Sequence, residues 1–68
     1  MNRVNVVSTN LLSVGYENKV LEVEFRNRTI YQYFGVPQEI YDHLISFTHP
    51  GRYFSRFVKN RYRCLRVR

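Results

Sequence analysis

The chain has one cysteine, Cys64, which excludes an intrachain disulfide and any cysteine-rich zinc cluster. Proline and glycine are also scarce, at two and three residues, and no repeat, low-complexity block or linker breaks up the 68 residues. A single domain spanning 1–68 is therefore expected. Long apolar runs are missing too. Nothing approaches the roughly 20 residues that a membrane-crossing helix needs, and Met1-Asn2-Arg3-Val4-Asn5 lacks the apolar segment of a secretory signal. These features predict a soluble protein of a reducing, cytoplasmic compartment. The last absence concerns charge: residues 52 to 68 contain no acid.

What is present is aromatic and basic. Six tyrosines and five phenylalanines give a chain this short the means to bury apolar area, because each ring removes roughly 150–250 Å² from water. Without a staple, domains of this size gain only about 3–5 kcal/mol from their cores, so most of these rings are expected to be scaffold. The net charge is +6 and unevenly placed. Arg3, Lys19, Arg26 and Arg28 stand against five acids in residues 1 to 51, whereas Arg52, Arg56, Lys59, Arg61, Arg63, Arg66 and Arg68 follow with none.

The apolar pattern changes period along the chain. Val4, Val6 and Val7 suggest an extended segment, and Glu17-Asn18-Lys19 reads as a turn. From Val20 to Phe25, Leu21, Val23 and Phe25 share one face while Glu22 and Glu24 share the other, as in a half-buried strand. Thr29 to Gly35 is β-branched and aromatic and is expected to complete an antiparallel hairpin. If Arg28 takes the left-handed conformation of a three-residue loop, Val23 faces Tyr31 and Leu21 faces Tyr33, so both tyrosines point into the core. A two-residue loop would instead turn Gln32 into that core, where an unpaired amide is costly.

At Val36-Pro37 the period becomes helical. A first helix near 37–47 is expected to bury Ile40, Leu44 and Phe47, with Tyr41 and Ile45 widening the stripe. A second, near 50–61, is expected to pack Tyr53, Phe54, Phe57 and Val58 inward and to present Arg52, Arg56 and Lys59 outward. The alternating tail after Arg63 suits an edge strand or a segment laid on the sheet. The predicted fold class is α+β, with a small antiparallel sheet of three to four strands packed against two C-terminal helices.

Leu21, Val23 and Phe25, the central Tyr31-Gln32-Tyr33, Val36-Pro37 with Tyr41, Gly51-Arg52-Tyr53-Phe54 and the later Tyr62 together resemble the KTSC domain family. This small bacterial and phage-type domain also occurs at the C-terminus of some lysyl-tRNA synthetases. The resemblance spans nearly the whole chain and implies RNA binding. This sequence departs from the family pattern at Arg28, where glycine is usual, and at Ser55, where asparagine is usual.

The basic C-terminal run points to phosphate, since neutralisation by lysine and arginine supplies most non-specific nucleic-acid affinity. Arg52, Arg56, Lys59, Arg61, Arg63 and Arg66 are the candidate contacts, in a non-catalytic module that binds RNA or another polyanion weakly and with little sequence preference. Tyr31 and Tyr33 are candidates to stack on unpaired bases, set against simple core packing. Two other readings stay open: a protein partner at an open sheet edge, and sequestration of a small phosphorylated ligand. His43 and His49 do not share a helix face, so no metal and no cofactor is expected. Cys64 reads as a buried, inert thiol. Glu22 and Glu24 could pose as a catalytic pair but read more simply as exposed charges or partners of arginines. No enzyme is expected.

Overall fold

The computed structural model describes residues 1–68. Four strands run in succession, β1 (Arg3–Asn5), β2 (Leu11–Glu17), β3 (Val20–Phe25) and β4 (Ile30–Phe34). Two helices follow, α1 (Gln38–Ser46) and α2 (Pro50–Phe57), and a last strand, β5 (Cys64–Arg66), returns to pair with β4. The result is an antiparallel sheet in the order β1-β2-β3-β4-β5. The α+β class is as expected, but the sheet has five strands. Backbone bonds extend the β4–β5 pairing at both ends: the Phe34 N–H donates to Arg63 O at 2.9 Å, and the Ile30 N–H to Arg68 O at 2.9 Å.

Turn chemistry sets the register. Asn18 and Lys19 both have positive φ, 51° and 64°, the backbone of a two-residue hairpin whose twist matches its strands. Between β3 and β4, Arg28 has φ 74°, and the Phe25 N–H donates to Thr29 O while the Arg28 N–H donates to Phe25 O, each at 2.9 Å. This is the predicted three-residue loop. Leu21 therefore pairs with Tyr33, Val23 with Tyr31 and Glu22 with Gln32. A bulge between Leu11 and Ser13 adds one residue to β2, which keeps Leu11 and Val14 in the core while turning Ser13 to the face of Glu24.

Both helices lie on one sheet face. Leu11, Val14, Leu21, Val23 and Tyr33 from the sheet meet Leu44 of α1 and Tyr53, Phe54 and Val58 of the second helical segment. Pro50 opens α2 at its first position, where the missing N–H costs nothing. Three expectations need correction here. Phe57, Phe47 and Ile45 are exposed, at 38%, 50% and 43%. Eight- and nine-residue helices offer only a narrow inner stripe, so Phe47 and Phe57 sit outside it against Tyr53, each with ring centroids 4.7 Å away. The helix ends at Phe57 rather than near Arg61, because the chain must reverse to reach β4. It does so through Asn60 at φ 64°. Cys64 is exposed, since its strand is the sheet edge and nothing packs beyond it.

Candidate nucleic-acid interface

Two of the five acids, Glu22 and Glu24, are gathered with three arginines on one side of the sheet. On the face without helices, Glu22 and Glu24 are only 8% and 7% exposed, because neighbouring polar side chains cover them. Arg3 bonds the Glu22 carboxylate and reaches Glu24 at 3.4 Å. Arg68 reaches Glu24 at 3.2 Å and Arg28 at 3.8 Å. Ser13 Oγ donates to Glu24 at 3.1 Å and Gln32 Nε2 to Glu22 at 2.8 Å. Burial alone would raise the Glu22 pKa, but the hydrogen bonds from Gln32 and Arg3 outweigh it and hold the carboxyl below its ordinary value. Every ion pair in the protein belongs to this cluster.

The remaining cations form no ion pair, and neither do the other three acids, Glu17, Glu39 and Asp42. Arg52, Arg56, Lys59, Arg61, Arg63 and Arg66 form no carboxylate pair, and neither do Lys19 and Arg26. Some of them surround a cleft of about 600 Å³ on the helix side of the sheet. Its floor is apolar: Leu11, Phe25, Tyr31, Tyr33 and Phe54. The rings interlock, with Phe25 edge-on to Tyr31 at 5.8 Å and to Phe54 at 5.6 Å. The rim is polar and comes from separate loops: Asn10 before β2, Arg26 and Asn27 between β3 and β4, and Lys59 and Asn60 after α2. None of the fourteen lining residues is an acid, so the field of the cations there is not cancelled locally.

A second, acid-free hollow of about 480 Å³ adjoins the first and shares Thr9, Arg26 and Gly51 with it. Arg52 and His49 border it at the start of α2. The close approach depends on Gly51, where a Cβ would lie 2.9 Å from Ser8 Oγ. Arg26 is held at the junction by donating from Nε and Nη2 to Ser8 O at 3.2 and 3.1 Å.

The predicted residues divide accordingly. Tyr31, Tyr33 and Lys59 line the cleft, and Arg66 is the cross-strand partner of Tyr31, hence on the same face. Arg52 borders the adjoining hollow. Arg56, Arg61 and Arg63 line neither. Arg61 Nε instead donates to Arg56 O at 2.9 Å, and the Arg56 guanidinium lies 5.9 Å from the Phe57 ring centroid. The two tyrosines also differ. Tyr33 is buried, and desolvation, then the nearby Cys64 and Tyr31, push its pKa up to about 12. Tyr31 is half-buried and lines the cleft. Arg26, Asn10 and Asn60 escaped sequence reasoning. The left-handed residue Asn60 was hidden inside a helix assumed to continue, and Arg26 looked like an ordinary turn residue.

The fold and cleft define a class: a small α+β domain with a five-stranded antiparallel sheet, a buried polar cluster on one face and a basic, aromatic-floored cleft on the other. The KTSC domain model matches residues 7–62, and the chain belongs to that family. It is 39% identical over 70 residues to an uncharacterized protein of Stutzerimonas stutzeri (strain A1501), covering 98% of this chain and 99% of that one. The crystal structure of a KTSC domain protein from Yersinia pestis superposes with a TM-score of 0.94 at 35% identity, covering 98% of this chain and 97% of that one.

Proposed function

We propose that this KTSC domain is a non-catalytic binding module for single-stranded RNA or a comparable polyanion. The strand would track over Lys59, Arg66, Arg26 and Arg52, with Tyr31 offering a stacking surface. The observation that carries the reading is the pairing of an aromatic floor with cations and no acid in one cleft. Phosphate contacts supply affinity there and a ring supplies sequence-tolerant stacking. Arg56, Arg61 and Arg63 add long-range attraction rather than contacts in the cleft. A non-catalytic role fits the occupied state of the paired carboxylates, whose charges are answered by Arg3, Arg28 and Arg68. No helix is long and apolar enough to cross a membrane, and an exposed thiol at Cys64 suits a reducing, cytoplasmic setting.

The test is equilibrium binding of fluorescent RNA, DNA and polyphosphate at rising salt. With about four phosphates contacted, log affinity falls against log salt with a slope near −3 for a single strand. Saturable binding to one folded protein, insensitive to competing RNA, would favour the exposed β5 edge as a protein-docking strand. Tight one-to-one binding of a small phosphorylated compound, with no affinity for strands, would favour sequestration.

A further inference from the structure

The rim of the cleft is better furnished than a phosphate track requires. Asn10, Asn27 and Asn60 reach it from three loops that are distant in sequence, joined by Ser55. A phosphate is matched by cations and N–H donors, whereas a primary amide also carries a carbonyl oxygen, which phosphate oxygens repel. Amides are suited to groups that present donors and acceptors side by side. The floor beneath them is aromatic, and a volume of about 600 Å³ falls within the roughly 300–1,000 Å³ usual for small-molecule sites.

The amides are also presented on fixed backbone. Asn27 accepts at Oδ1 from the Thr29 N–H at 3.1 Å and the Thr29 hydroxyl at 2.7 Å, which leaves its NH₂ as donor. Asn60 stands in the left-handed conformation, in a turn closed by the Lys59 N–H on Phe54 O and the Arg61 N–H on Val58 O, each at 3.0 Å. Asn10 is anchored through its backbone, with the Ser8 hydroxyl accepting its N–H at 3.1 Å and its carbonyl accepting the Arg26 N–H at 2.9 Å. The side chains of Asn10 and Asn60 are exposed and free to meet a ligand.

From this convergence we propose that the cleft is a nucleotide pocket. One unpaired base lies on Tyr31, its hydrogen-bonding edge is met by Asn10, Asn27 and Asn60, and its phosphate is held by Lys59. The inference rests on the polyanion reading and narrows it, because it makes one position selective for base identity. The nucleotide can be free or part of a single strand; the chemistry is shared.

Nuclear magnetic resonance on the isotopically labelled full chain tests this, using four 5′-mononucleotides, inorganic polyphosphate, a single-stranded RNA and an abasic strand of the same length. The expected result is that mononucleotides move the side-chain amide signals of Asn10, Asn27 and Asn60 while polyphosphate does not, with at least tenfold preference for one base. Affinity that rises with strand length assigns the pocket to strands, and affinity that does not assigns it to free nucleotides. The double variant Asn10→Ala, Asn60→Gly, which retains a residue suited to positive φ, should lose base preference and weaken strand binding, yet keep the wild-type thermal midpoint and the parent's salt slope, which counts phosphate contacts alone. Equal binding of the abasic strand and the RNA would overturn the pocket while leaving polyanion binding intact. No binding of any strand, mononucleotide or polyphosphate would overturn both.

Discussion

Tyr31 of β4 and Arg66 of β5 are cross-strand partners on the cleft face of the sheet. Two helices separate them in sequence, and the return of β5 is what places a cation beside the cleft-lining ring. Charge and stacking surface therefore depend on the same edge strand, so damage to the strand should affect both.

The Arg28 turn is expected to be strained. A non-glycine residue at φ 74° costs about 1 kcal/mol relative to glycine, and its ion pair with Glu24, from a side chain 75% exposed, returns little. Arg28→Gly should raise stability by about 0.5–1 kcal/mol, read as a higher urea midpoint at constant slope. A lower midpoint would mean that the ion pair outweighs the backbone.

Leu44 is fully buried where α1 meets the sheet core. Leu44→Ala should cost about 2–5 kcal/mol, enough to unfold most of a domain this small. Circular dichroism checks it; an unchanged thermal midpoint would show that α1 contributes no packing.

The tethered carboxyl of Glu22 should leave an acid signature. Its folded pKa lies below the ordinary 4.5, so between the two values the unfolded chain binds more protons than the folded one. The stabilisation is complete above the ordinary value and drains away as pH falls below it. Urea midpoints followed downward through that window should decline less steeply for Glu22→Gln than for the parent chain. Parallel curves would contradict the depressed value.

Tyr33 should act at the alkaline end. With its pKa raised from 10 to about 12, the unfolded chain loses this proton first, and stability falls as pH climbs through that interval. Tyr33→Phe should flatten the decline there, and phenolate absorbance of the folded parent should show late-titrating tyrosines, because burial raises the Tyr53 hydroxyl as well as that of Tyr33. Six tyrosines titrating together would argue against a buried hydroxyl.

Cys64 is exposed and lines the cleft. Cys64→Ser should leave folding and binding unchanged, whereas alkylation of the native thiol with a bulky maleimide should block binding. Binding that survives complete labelling would place the ligand elsewhere.

Much of the fold was legible because local chemistry agreed with global packing. Gln32, unsuited to the core, fixed the β3–β4 register that Arg28 then permits, and Val36-Pro37 marked the change from strand to helix. The site was harder to read. That Arg52, Lys59 and Arg66 form no ion pair depends on Glu22 and Glu24 being taken up by Arg3, Arg28 and Arg68 and on Glu17, Glu39 and Asp42 lying out of their reach, a partition set by tertiary pairing. Arg26 and Asn10 join the cleft only because the loops before β2 and after β3 lie at the same end of the sheet. Phe57 and Cys64 fit an inward pattern, but Phe57 is covered only in part, against Tyr53, and Cys64 lies on the sheet's edge strand.

The central claim is that binding is local to the cleft rather than a response to net charge. Lys59 lines the cleft, while Lys19 occupies the β2–β3 turn at the opposite end of the sheet, exposed and also without an ion pair. Lys59→Glu and Lys19→Glu change the net charge equally. The decisive measurement is the affinity of each variant for one single-stranded RNA at the same low salt. The account predicts that Lys59→Glu weakens binding about tenfold or more and shallows the salt slope, with Lys19→Glu within about twofold of the parent. Equal losses in the two variants, or none in either, would contradict it.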